Sequence, residues 1–64
     1  MTNPNLSLKI SEYNKFLLSH AGKKGYGDGY AYALGAMTTL LEYSAGKTVD
    51  ETIELIDVCM KRIT

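Results

Sequence analysis

Gly29-Tyr30-Ala31-Tyr32-Ala33-Leu34-Gly35-Ala36-Met37-Thr38-Thr39-Leu40-Leu41 is the longest stretch without a charged residue in this chain of 64. Its thirteen residues fall short of the roughly 20 that a membrane-spanning helix needs, so the segment belongs to a core or an interface. Asp28 stands where it can cap a helix running from about Gly29 to Ala45, and Gly46 is placed as the stop signal. Leu34, Met37, Leu41 and Ser44 form one stripe of that helix, and Tyr30, Ala33, Leu40 and Tyr43 spread apolar surface round the cylinder. Ala31, Gly35 and Thr39 add a small-residue stripe at four-residue spacing, and Glu42 is the only charge before Ala45. A helix apolar on most sides is normally covered on most sides.

Two amphipathic segments flank it. Leu6, Ile10, Tyr13, Leu17 and His20 fall at steps of four, three, four and three, which predicts a first helix over about 5–21. Asn3 can cap it with Pro4 at the first helical position, Ser7 or Ser11 can cap a shorter version, and Leu6, Leu8 and Ile10 also permit a brief extended entry. Gly22 is placed to close that helix in the left-handed conformation, leaving 22–28 as a Gly/Tyr loop. On the other side, Thr48-Val49-Asp50-Glu51 is a capping box that starts a third helix over about 49–63. Val49, Ile53, Ile56, Met60 and Ile63 repeat the 4-3-4-3 spacing, and Leu55 and Cys59 widen the face. Asp50, Glu51 and Glu54 lie near the positive end of this helix and Lys61 and Arg62 near its negative end, with Asp57 and Lys61 spaced as a surface pair. The expected fold class is all-α: a single three-helix, bundle-like domain whose nearly uncharged second helix is expected to be completed by self-association.

Composition narrows the supports available to so small a domain. Apolar residues make up 45% and charged residues 22%, which is the balance of a globular chain rather than a disordered one. A domain of this size hides only about 60% of the surface of its unfolded chain, so a disulfide, a metal or a partner commonly completes it. Cys59 is the single cysteine and His20 the single histidine, so no intrachain disulfide and no closed four-ligand zinc site can form. Association is the remaining support. The net charge is zero, which does not point to nucleic acid or to an anionic membrane. The charges are nevertheless divided: residues 1–27 carry four lysines against Glu12, and residues 28–64 carry three cations against six acids, so the halves attract. The opening residues, Met1 to Asn5, lack the basic region and long apolar run of a secretory signal, and a cytoplasmic protein is expected.

Candidate functional residues fall in two groups. Tyr26, Tyr30 and Tyr32, with Ala31, Gly35 and Thr39, are the expected protein interface, because tyrosine supplies contact area while its hydroxyl tolerates water. Tyr30 and Tyr32 lie about 200° apart on a helix, so one of the two faces outward. Lys23, Lys24, Gly25 and Gly27 are the candidate anion-binding set, with lysines and glycine N–H groups near a helix N-terminus. Their spacing matches neither a dinucleotide fingerprint nor a P-loop, and Asp28 sets a carboxylate where an anion would sit.

His20 reads as a structural side chain bonding terminal carbonyls, and Cys59 as a small hydrophobe, since no catalytic motif surrounds either residue. No cofactor is expected. The functional expectation is a non-enzymatic protein–protein interaction module, an adaptor, regulator or inhibitor of a larger cytoplasmic protein, and itself a homodimer or small homo-oligomer. The competing expectation is an anion or single-stranded nucleic-acid binder working through residues 23–32, with salt-sensitive affinity.

Overall fold

The computed structural model describes residues 4–63, all within three helices and their two connections. These are α1 (Pro4–Lys24), α2 (Gly29–Ser44) and α3 (Val49–Ile63), each packed against the other two. The molecule is drawn out along α1, whose 21 residues run about 31 Å. Its extents are 36 × 19 × 18 Å. The radius of gyration, 11.9 Å, exceeds the about 10.7 Å of a spherical chain of this length.

The core is thin. Tyr13, Leu17 and Ala21 of α1, Ala33 and Leu40 of α2 and Ile56 of α3 are the buried apolar residues among those described. Leu17 and Ile56 alone are large and completely enclosed. Leu6, Phe16, Tyr32, Met37, Leu55 and Met60 pack round them, half-covered. Between α1 and α2 the contact is close: a methyl group added at Gly29 would stand 3.4 Å from the Ala21 side chain. Small residues therefore set that interface, and Leu17 and Leu40 fill the wider space beside it.

Local chemistry accounts for each helix end. Pro4 is the first residue of α1, where its missing N–H is no loss, whereas the Asn3 cap lies outside the described residues. The Asp28 carboxylate accepts from the Ala31 N–H at 3.0 Å and so caps α2. At the far end of α2, Ala45 (φ −56°, ψ 126°) and Gly46 (φ 80°) form a type II turn, closed by the Lys47 N–H on the Ser44 carbonyl at 3.0 Å. The capping box forms reciprocally. The Glu51 N–H donates to Thr48 Oγ1 at 3.2 Å, and the Thr48 N–H donates to Glu51 Oε1 at 2.9 Å. That backbone hydrogen bond to Thr48 also holds the Glu51 carboxyl below its ordinary pKa of 4.5.

Two sequence expectations are corrected. Helix α1 runs three residues past the expected end, and Gly25 (φ 73°), not Gly22, takes the left-handed position. The residue next along the chain, Tyr26, supplies the reason. With Gly25 in the left-handed position, its N–H donates to the Gly22 carbonyl at 3.2 Å and the Tyr26 N–H to the Ala21 carbonyl at 3.0 Å. The Tyr26 ring then folds back onto His20, a contact that Lys23 could not make had the helix stopped at Gly22.

The rotation of α2, which the sequence leaves open, is set by packing. Leu34 and Leu41 are exposed to 56% and 70%, and Ala33 and Leu40 are buried. Apolar residues ring this helix, so periodicity alone sets no phase. The close approach of Gly29 to Ala21 does. Near the start of α1, Leu6 packs against the core and Lys9 reaches α3, whereas Leu8 and, in part, Ile10 are exposed.

The opposed halves meet in a cross-helix pair. Lys9 Nζ on α1 lies 2.9 Å from Asp57 Oδ1 on α3, with Glu12 at 3.5 Å. Three substitutions test this packing by circular dichroism and thermal melting. Ile56→Asp abolishes helicity, because it encloses an unpaired charge. Leu17→Ala lowers stability by about 2–5 kcal/mol. Gly25→Ala, which forces a side chain into the left-handed region, costs about 1–2 kcal/mol.

Candidate functional site

The structure divides the expected interface residues between two places. Tyr26 and Tyr32 lie together at the loop end, ring centroids 5.1 Å apart. His20 sits against both, at 6.4 and 6.0 Å, and Phe16 stacks on its other side at 6.2 Å. The expected bond from His20 to terminal carbonyls is therefore replaced by ring contacts, since the Ala21 and Gly22 carbonyls accept from Tyr26 and Gly25. This quartet clasps the α1–α2 connection to the bundle.

The other four residues are exposed on α2. Tyr30 is 73% exposed, Ala31 and Gly35 are exposed further round the helix, and Thr39, about 180° from Tyr30, is exposed at the edge of the α2–α3 groove. Leu34, Thr38 and Leu41 share the outward face between Tyr30 and Ala31. Because apolar residues ring α2, periodicity leaves open which side the two leucines take. The legible signal is the 3-4 spacing of Ala31, Leu34, Thr38 and Leu41, which marks one helix face as surely as the stripe of Leu34, Met37, Leu41 and Ser44 does.

The polar atoms of this face are turned back into the helix. Thr38 Oγ1 donates to the Leu34 carbonyl at 2.8 Å and Thr39 Oγ1 to the Gly35 carbonyl at 3.1 Å. Both threonines consequently present methyl groups outward. The result is an apolar strip of large and small side chains, with no charge from Gly29 to Leu41. Such a strip can bind another apolar surface and offers no group for proton transfer.

At the anion-binding candidates, the Gly25 and Tyr26 N–H groups are engaged with α1 carbonyls. The Ala31 N–H is engaged by Asp28. Lys23 and Lys24 are exposed in the last turn of α1, where they also favour the negative end of that helix. Among the described residues, no three His, Cys, Asp or Glu side chains converge as metal ligands.

A separate open groove of about 230 Å³ runs between α2 and α3. Tyr13 and Leu40 floor it, Ala36, Cys59 and Ile63 wall it, and Thr39, Tyr43 and Arg62 form its rim. His20 does not line it, so the thiol and the imidazole occupy different parts of the molecule.

Burial, and then the adjacent Cys59 thiol, push the Tyr13 phenol from its ordinary 10 up to about 12. Because the folded value is the higher one, this stabilisation is complete below pH 10 and is lost as the pH rises towards 12. Lys9, whose hydrogen bond to Asp57 raises it above 10.5, loses its stabilising charge over a similar alkaline range. Denaturant titrations from pH 9 to 12 should show a loss of about 1–3 kcal/mol attributable to Tyr13. Tyr13→Phe should remove that part of the slope and leave the Lys9 part. No protein-family model, curated protein or solved structure matches the chain.

Proposed function

We propose that this chain is a small non-enzymatic protein–protein interaction module that self-associates and acts as an adaptor, regulator or inhibitor of a larger cytoplasmic protein. One observation carries the reading. Tyr30, Leu34 and Leu41, exposed to 73%, 56% and 70%, share one uncharged helix face. Each such side chain contributes about 1.5–3 kcal/mol when covered, so three from each of two copies can offset an association cost of about 4–15 kcal/mol. Single exposed apolar residues are ordinary, but a continuous strip of them is a contact surface. A free, half-covered Cys59 accords with a reducing compartment. No helix among the described residues is long and apolar enough to cross a membrane.

Sedimentation equilibrium over a wide concentration range tests the proposal. The chain should associate, and Leu34→Glu and Leu41→Glu should each keep full helicity while weakening association by about 100-fold or more. A folded monomer at every concentration would overturn self-association. Unchanged association in both variants would move the contact surface away from α2.

A further inference from the structure

We infer that the open groove between α2 and α3 is a binding site for a small apolar monocarboxylate, whose hydrocarbon body lies over Tyr13 and Leu40 and whose carboxylate meets Arg62. The inference is independent of self-association. Tyr43, on the groove rim, stands about 180° round α2 from Leu34, so the groove and the outward strip face different ways.

The floor dictates the body of the ligand. Tyr13 and Leu40 are each only 3% exposed, and packing on all other sides holds them in place, so the groove is formed before any ligand arrives. Among the described residues, no buried side-chain nitrogen or oxygen lacks a hydrogen-bond partner. A polar group pushed to the floor would therefore lose water and gain no bond. Burial pushes the Tyr13 phenol up to about 12, which keeps the floor uncharged at neutral pH. Ala36, Cys59 and Ile63 continue the apolar lining up the walls. The volume, about 230 Å³, exceeds the about 150 Å³ that encloses a benzene ring. An alkyl or aryl-alkyl group of about eight carbons fills such a space.

The rim dictates the head group. Of the lining residues, Arg62 alone is charged, so no carboxylate of the chain stands in the groove to repel an anion. Arg62 makes no ion pair with another described side chain. Its planar guanidinium offers two parallel N–H groups that match the two oxygens of a carboxylate. Arg62 lies in the last turn of α3, whose negative end offsets about half a unit of its charge. The remainder suits a single negative charge. A phosphate monoester, with about 1.5 to 2 negative charges, would keep an excess beside that helix end.

Methyl NMR titration with octanoate tests the site, with octan-1-ol as an uncharged probe of the same chain length. Octanoate should shift the Ala36, Leu40 and Ile63 methyl resonances saturably, and octan-1-ol should shift the same resonances with about tenfold weaker affinity. Arg62→Gln changes an exposed side chain, so helicity should be kept while octanoate affinity falls by about tenfold and octan-1-ol affinity stays the same. Bound octanoate should also slow the alkylation of Cys59 by iodoacetamide, because the thiol lies in the groove wall. No saturable shift at the groove methyls by about 10 mM octanoate would overturn the site. Shifts led by Leu34 and Leu41 would overturn it too, since they mark adsorption to the outward strip. Equal affinities for the acid and the alcohol, or full octanoate affinity in Arg62→Gln, would overturn the pairing of Arg62 with a carboxylate.

Discussion

The closest approach of α1 to α2, at Ala21 and Gly29, governs much of the rest of the molecule. It draws the two helices together over small side chains, turns Ala33 and Leu40 inward and leaves Leu17 and Ile56 as the only large side chains fully enclosed among those described. A core built on alanine and glycine contacts contains little apolar area. Much of the chain's apolar surface is therefore left on α2's other side. The exposed strip and the tight interface are thus two results of one rotation, since whatever faces α1 cannot face out.

The positions of the helices were readable because their ends are chemical. Asp28, the Ser44-to-Lys47 turn and the Thr48–Glu51 box each satisfy backbone groups within a few residues, so local sequence is enough to locate them. The end of α1 was not readable in this way. Gly22 and Gly25 were equally able to adopt a left-handed conformation, and the choice was made by Tyr26 reaching His20 across the turn. The inward face of α3 was legible, with Ile56 at its centre, because polar and apolar residues separate cleanly round that helix. In α2 they do not separate, so the phase of the helix depended on a tertiary contact that no window of sequence contains.

The same distinction applies to the candidate site. Tyr30, Ala31, Gly35 and Thr39, singled out by composition and spacing, are all exposed on α2 and spread over about half of its circumference. Leu34 and Leu41 lie on a stripe whose side the sequence leaves open, because apolar residues ring α2. Of the candidate anion-binding glycines, Gly25 has its N–H taken up by the α1 cap, and a cap of this kind is recognisable only when the residue after the glycine is considered with it.

The aromatic quartet makes the loop end observable. The chain contains no tryptophan and one histidine, and the His20 imidazole is surrounded by Phe16, Tyr26 and Tyr32 with centroids 6.0–6.4 Å away. Its carbon-bound protons give an isolated pair of NMR resonances shifted by three neighbouring ring currents. Loosening of the α1–α2 connection moves those resonances towards the positions of a free imidazole. Contact at the middle and far end of α2's outer face leaves them in place. One residue thus reports the state of the hinge separately from the state of the surface.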